Sequence, residues 1–270
     1  MDGRFVTRAR ELDRARPLRA RARTAVRRAA LTALALRLRP PASGLRIVHY
    51  HFVFDDELES FRRQLAYFAA EFEPVSLTQA VERLRDGRST GRELALTFDD
   101  GFRNQLTNAA PLLRDAGFSA CFYLITDLVS ATGGDAVRFC RERLHLPRPV
   151  EPLTWDDATA LLVQGHEVGS HTVTHPNLAA LAPAKLDGEL RVSKELIEQR
   201  LGPRVAHFSA PYGDVTRFTP TVSEAARAAG YSSCATAIRG PNETNDVYAL
   251  RRDHVVAGWP VRDLRYFLSQ

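Results

Sequence analysis

The chain has 270 residues, of which 44% are hydrophobic and 26% charged, enough to bury a sizeable core and ordinary for a globular protein. No stretch approaches the roughly 18 consecutive apolar residues of a membrane span, so the sequence offers no transmembrane helix. A formal charge of +5 invites a nucleic-acid partner, but the excess is local: residues 1–39 hold twelve arginines against Asp2, Glu11 and Asp13, which leaves the remainder mildly acidic.

That front segment reads as a basic helical arm rich in Arg, Ala and Leu, stopped by Pro40 and Pro41. Leu31, Leu34 and Leu38 share one helical face and are expected to pack on the body. Peripheral docking of residues 1–39 on an anionic membrane is the alternative. Nucleic acid is the weakest reading, because Phe5 alone could stack on a base. As a secretion signal the arm is poor: its apolar core "AALTALAL" is short, bracketed by arginines and followed by no small-residue cleavage site. The expected location is therefore cytoplasmic, peripheral at the inner membrane face. Cys121, Cys140 and Cys234 have no metal-type spacing and fit a reducing compartment, with Cys121 and Cys234 expected as buried thiols.

Past "PPASG" the pattern changes, placing a boundary near residue 43. "LRIVHYHFV" (45–53) reads as a strand, being β-branched and aromatic. Two helices follow, over 56–72 with Leu58, Phe61, Leu65 and Phe68 at helical spacing, and over "SLTQAVERLRDG" with Ser76 as its cap. Strands are then expected at 93–98, 119–126, 166–171, 205–211, 231–237 and in the closing 248–256. Helices are expected at 108–117, 154–165, 183–202 and 220–230, each ending in glycine. This alternation predicts a parallel α/β architecture, a barrel or an open doubly wound sheet.

In either architecture the carboxyl ends of the strands gather on one rim. "YH", "FDDG", "SHTVTH" and "APYG" all fall there. Asp99 and Asp100 are like charges side by side, so at least one needs a cation or a proton. His171 and His175, four apart, can reach one ion, and two imidazoles with one carboxylate make a three-ligand divalent site with a position left for water. The second aspartate is then free to take that water's proton. Trp155 reads as a packing anchor, while Asp156 and Asp157 complement the first turn of their helix.

"TFDDG", "SHTVTH" and "APYG", in this order, resemble the polysaccharide deacetylases, the NodB-homology or carbohydrate esterase family 4 group, over about residues 44–256. "HYHFV" and "EPVSL" resemble the subgroup that begins with a YH strand. The resemblance implies a distorted (β/α) barrel, with an arm at 1–43 and a catalytic domain at 44–270. It implies Asp99 as catalytic base, and Asp100, His171 and His175 as ligands of a divalent metal, zinc in the usual case. The Tyr212 backbone N–H is implied as an oxyanion donor, with the following glycine allowing close approach. His51 is the candidate general acid, with His254 and the neighbouring His49 as alternatives. The arginine that steadies the base in much of the family is absent from the third motif, where Ser209 and Ala210 precede Pro211. Arg252 is the candidate replacement, with Arg251 beside it.

The expected activity is metal-dependent hydrolysis of an N-acetyl group on a sugar of a glycan, glycolipid or biosynthetic intermediate. The alternatives are hydrolysis of a non-sugar amide or formamide, and a carbohydrate-binding scaffold without turnover. Retention of both aspartates and both histidines weighs against the scaffold.

Overall fold

The structure is a computed structural model that describes residues 4–19 and 44–269. Leu31, Leu34, Leu38, Pro40 and Pro41 lie outside the described residues.

The strands are β1 (Arg46–Tyr50), β2 (Glu73–Pro74), β3 (Glu93–Phe98), β4 (Ala120–Leu124), β5 (Glu167–Ser170), β6 (His207–Ser209), β7 (Ser233–Ala235) and β8 (Asp253–His254). All ladders among them are parallel, in the order β7-β6-β5-β4-β3-β1-β8, with β2 beside the start of β3. The ring closes through an irregular segment rather than a full strand. Leu250 bridges Ala235 of β7, with Thr236 N donating to Leu250 O at 2.8 Å and Leu250 N to Cys234 O at 3.0 Å. A few residues on, β8 pairs with β1. The result is the expected parallel barrel, distorted at its seam.

Strand parity decides what faces the site. Tyr50, Phe98 and Phe122 are register partners on one face of β1, β3 and β4, and their rings stack at centroid distances of 5.4 and 4.9 Å. Each such contact contributes about 0.5–1.5 kcal/mol beyond area burial. The opposite parity carries His49, Thr97 and Cys121, also register partners through Thr97, toward the barrel interior.

Around the barrel lie α1 (Ala9–Arg14), α2 (Leu58–Glu71), α3 (Leu77–Arg85), α4 (Ala110–Asp115), α5 (Thr126–Ser130), α6 (Gly133–Glu142), α7 (Trp155–Val163), α8 (Pro183–Leu201), α9 (Pro220–Ala228) and α10 (Val261–Leu268). The expected cap on α3 forms: Ser76 Oγ accepts from Gln79 N, and Gln79 Oε1 accepts from Ser76 N. Such a box is worth about 1 kcal/mol. Trp155 packs against the core, and its Nε1 donates to Ser130 Oγ at 3.2 Å.

Three differences from the sequence reading matter for the site. The helix expected at 108–117 is preceded by a π-turn over Gln105–Ala109. The stretch from "SATGG" onward, for which the sequence pattern offers no helix or strand, forms α6, whose helical face with buried Ala136 and Cys140 is masked in sequence by Gly133 and Gly134 at its start. The helix α10 was not expected, although Leu264 and Leu268 are buried at helical spacing.

Two buried polar ties hold the seam. Arg46 and Asp253 pair at 2.8 Å, fixing the β1–β8 register. Gln64 of α2 accepts from Tyr50 OH at 2.7 Å and donates to the carbonyls of Val256, Ala257 and Trp259. The described part of the front arm packs on the body: Val6 and Leu12 are buried with Phe54, Phe102 and Ile125, and Ala9 N donates to Asp56 Oδ1 at 2.7 Å. Among the described residues no helix is long and apolar enough to cross a membrane.

Candidate active site

A cavity of about 430 Å³ opens at the carboxyl ends of the strands, lined by Asp99, Asp100, His171, His175, Tyr212, Arg252, His49, His51 and His254, with Leu144 and Leu146 at its rim. Every residue singled out in the sequence reading for chemistry, Arg251 excepted, therefore meets here. Arg251 instead lies on the outside, its Nη1 donating to Arg239 O at 3.3 Å.

Asp99 follows β3 directly and is 3% exposed. Arg252 grips it with both ends of the guanidinium, Nη1 to Oδ1 at 2.7 Å and Nη2 to Oδ2 at 2.8 Å. The arginine is itself fixed by Thr236 O at 2.7 Å, Ser209 Oγ at 2.8 Å and Thr97 Oγ1 at 3.2 Å. Burial pushes the Asp99 carboxyl up, but the Arg252 charge and hydrogen bonds outweigh it and hold the group well below the usual carboxylate range. Asp99 is thus a buried but ionised carboxylate.

Asp100 turns the other way. Its φ of 75° puts it in the left-handed region, so the two adjacent side chains diverge. Burial raises its carboxyl, opposed by His51 and His171. His171 Nε2 and His175 Nε2 lie 3.5 and 3.7 Å from Asp100 Oδ1, an oxygen that is buried without a hydrogen-bond partner. His171 Nδ1 sits 2.7 Å from Ser209 O, which can only accept; this fixes the tautomer and leaves Nε2 with a free lone pair. Burial holds His175 well below the usual imidazole range, which keeps it neutral. One ligand atom from each of the three lies within 4.8 Å of the others. An orphaned carboxylate oxygen facing two imidazole nitrogens fits a divalent cation of the zinc type.

The "HTVTH" loop keeps this geometry through groups that the sequence reading missed. Glu189 of α8 accepts from Val173 N, Thr174 N and Thr174 Oγ1 at 2.8, 2.9 and 2.6 Å. Thr172 Oγ1 accepts from His175 N at 3.0 Å, with Thr172 and His175 at φ of 72° and 58°. Gln105, on the π-turn, donates to Asp99 O at 2.6 Å and His51 O at 2.9 Å, tying the two strand ends together. Neither Glu189 nor Gln105 stands out in spacing or composition. Asp100, Thr172, His175 and Tyr212 all have positive φ, so strained backbone is concentrated along this rim.

Tyr212, at φ of 64°, is followed by Gly213 at φ of 48°. A Cβ on Gly213 would stand 2.7 Å from Ala237 N, so glycine is required for this approach of the "APYG" turn. The Tyr212 ring packs 4.9 Å from His175 and under the Arg217 guanidinium. Across the cavity His49, His51 and His254 form a second histidine group; burial and the Arg252 charge hold His49 well below its usual range.

The polysaccharide deacetylase profile matches residues 86–234. Among curated relatives, the chitooligosaccharide deacetylase of Azorhizobium caulinodans is 29% identical over 120 residues, 44% of this chain and 47% of that protein. The chain spans about half or less of the length of the curated relatives it matches. The fold is shared with the solved structure of IcaB from Ammonifex degensii, at 20% identity and TM-score 0.71 over 85% of this chain and 99% of that one. It is shared likewise with the Streptococcus pyogenes deacetylase PplD in complex with acetate, at 20% identity and TM-score 0.69 over 85% and 100%. The matched span contains Asp99, Asp100, His171, His175 and Tyr212, whereas His49, His51, Arg252 and His254 lie outside it. With the profile covering more than half of the sequence, the chain belongs to the polysaccharide deacetylase family.

Proposed function

We propose that this chain is a metal-dependent amide hydrolase that removes an N-acetyl group from an N-acetylated sugar, with residues 44–270 as its catalytic unit. The observation that carries this reading is the difference between adjacent aspartates: Asp99 is gripped at both oxygens by Arg252, and Asp100 faces the Nε2 atoms of two histidines.

Asp100, His171 and His175 would hold the cation, zinc in this reading, which supplies Lewis-acid polarisation of the acyl carbonyl and acidifies water. Asp99 takes the proton of the attacking water. Arg252 keeps that carboxylate ionised and oriented, and acts as a positioning residue. The Tyr212 N–H donates to the oxygen that gains charge as the carbonyl becomes tetrahedral. His51, on the opposite wall, returns a proton to the nitrogen as the C–N bond breaks, giving acetate and a free amine. The basic residues of 1–39 would bring the enzyme to an anionic, inner-face membrane surface where a lipid-linked intermediate is made.

Acetate release from an N-acetylglucosamine oligosaccharide or a lipid-linked N-acetylhexosamine measures this directly. Chelation and Asp99→Asn are each expected to abolish it, by at least about a hundredfold for loss of the base. Acetate release that is indifferent to both, or absent from every N-acetylated sugar tried, refutes the reading.

A further inference from the structure

Strand geometry builds a second convergence of histidines beside the first. His49 and His51 stand two residues apart on one face of the chain leaving β1, and His254 is the register partner of His49 across the parallel β1–β8 ladder. Their ring centroids are 5.0 Å apart for His49 and His254, 5.3 Å for His51 and His254, and 5.6 Å for His49 and His51. The His171 and His175 rings, in the group with Asp100, stand 5.0 Å apart. A ring nitrogen from each of His49, His51 and His254 lies within 4.8 Å of the others.

His49 is 3% exposed, and its Nδ1 is buried with no hydrogen-bond partner. A buried imidazole nitrogen left unmatched is unfavourable, so the site gains by taking a ligand there. His51 and His254 are partly open and line the cavity. The nearby cationic charge of Arg252 is already matched by its bidentate bond to Asp99.

We propose that His49, His51 and His254 form a second divalent-cation site, distinct from Asp100, His171 and His175. Three imidazoles with a side open to the cavity suit zinc, cobalt or nickel, and not magnesium or calcium, which take oxygen ligands. Occupancy takes up a ring nitrogen of His51, so zinc beyond the first equivalent inhibits the enzyme. That inhibition rests on reading His51 as the proton donor; the metal site does not.

The test is metal content of the full chain after equilibrium dialysis against Co²⁺, read by elemental analysis and by the visible absorption of bound cobalt. Wild type is expected to take up two equivalents. His254→Gln and His49→Gln each lose one of the two, and Asp100→Asn loses the other while its cobalt remains all-imidazole in spectrum. Circular dichroism and melting curves establish that each variant is folded; should the buried His49→Gln fail to fold, His254→Gln, at a partly exposed position, carries the test. Uptake of a single equivalent by wild type, or two equivalents surviving in His254→Gln, overturns the second site. Two equivalents surviving in Asp100→Asn overturns the first site instead, so the two readings fail separately.

Discussion

Replacing Arg252 by methionine tests in one step whether it keeps Asp99 ionised, as the proposed base requires. The guanidinium makes both of its contacts to Asp99 below 3 Å, at 2.7 and 2.8 Å, with the pair only 1% and 5% exposed. Removing one partner of such a buried pair costs about 3–5 kcal/mol, because the remaining charge has neither water nor counter-ion. At about 1.4 kcal/mol per pKa unit, the same energy corresponds to a rise of roughly two to three and a half units in the Asp99 carboxyl if the fold survives. In the wild type, Asp99 sits below its unfolded value, so its stabilisation is present above the ordinary carboxylate range and lost as pH falls toward the depressed value. Arg252→Met removes that acid-side loss together with the stabilisation. The assay is urea unfolding of wild type, Arg252→Met, Asp99→Asn and the double variant. The double variant is expected to recover at least about 2 kcal/mol relative to Arg252→Met, since it no longer buries an unmatched charge. Its remaining deficit reflects the lost bonds to Thr236 O and Ser209 Oγ. A single variant within about 1 kcal/mol of wild type, or a double variant no better than Arg252→Met, refutes the reasoning.

Two further outcomes concern groups away from the rim. Burial raises Glu57 to about 7 against the N–H bonds from Phe54 and Gly258 that favour its charge. An acid raised on folding stabilises most below its unfolded value of 4.5 and loses that contribution as pH climbs through 7. Wild type should thus lose up to about 3 kcal/mol between pH ~4 and ~8 from this group, a loss that Glu57→Gln abolishes; parallel pH dependences of the two melting temperatures would sink the idea. A Cβ on Gly169 would stand 2.5 Å from the Tyr123 ring, which is fully buried beside the Arg252 guanidinium. Gly169→Ala is therefore expected to destabilise by about 1–3 kcal/mol in chemical unfolding and to lower acetate release, and an unchanged midpoint would show that Tyr123 yields freely.

The residues that meet in the candidate site were legible because they stand at strand ends, where an apolar run stops abruptly on a charged or aromatic group. "LALTFDDG" and "HEVGSH" announce both the strand and the rim in one phrase, and β3 runs over Glu93–Phe98 as read. Spacing alone did not separate Asp99 from Asp100, whose roles came from the family resemblance, and the divergence of the two side chains depends on a left-handed turn at Asp100. Gln105 and Glu189 were illegible for a different reason: they act by tying backbone groups together, through bonds to Asp99 O, His51 O and the Val173 and Thr174 N–H groups. Ordinary helix residues perform that task, and no spacing betrays it. The helix α6 was missed because paired glycines mark a loop more strongly than Ala136 and Cys140 mark a helical face.

The irregular seam also bears on how the molecule comes together. Arg252 meets Asp99 across 153 residues, and the segment that carries it is the one that joins β7 to β1. Contacts of such long range form late, after the entropy of closing the intervening loop has been overcome. With the seam open, β3, β4 and β5 can be paired while Asp99 lacks its counter-charge, a state that favours the protonated acid. Closing the ring and matching the Asp99 charge are thus coupled, and local opening at the seam withdraws both together.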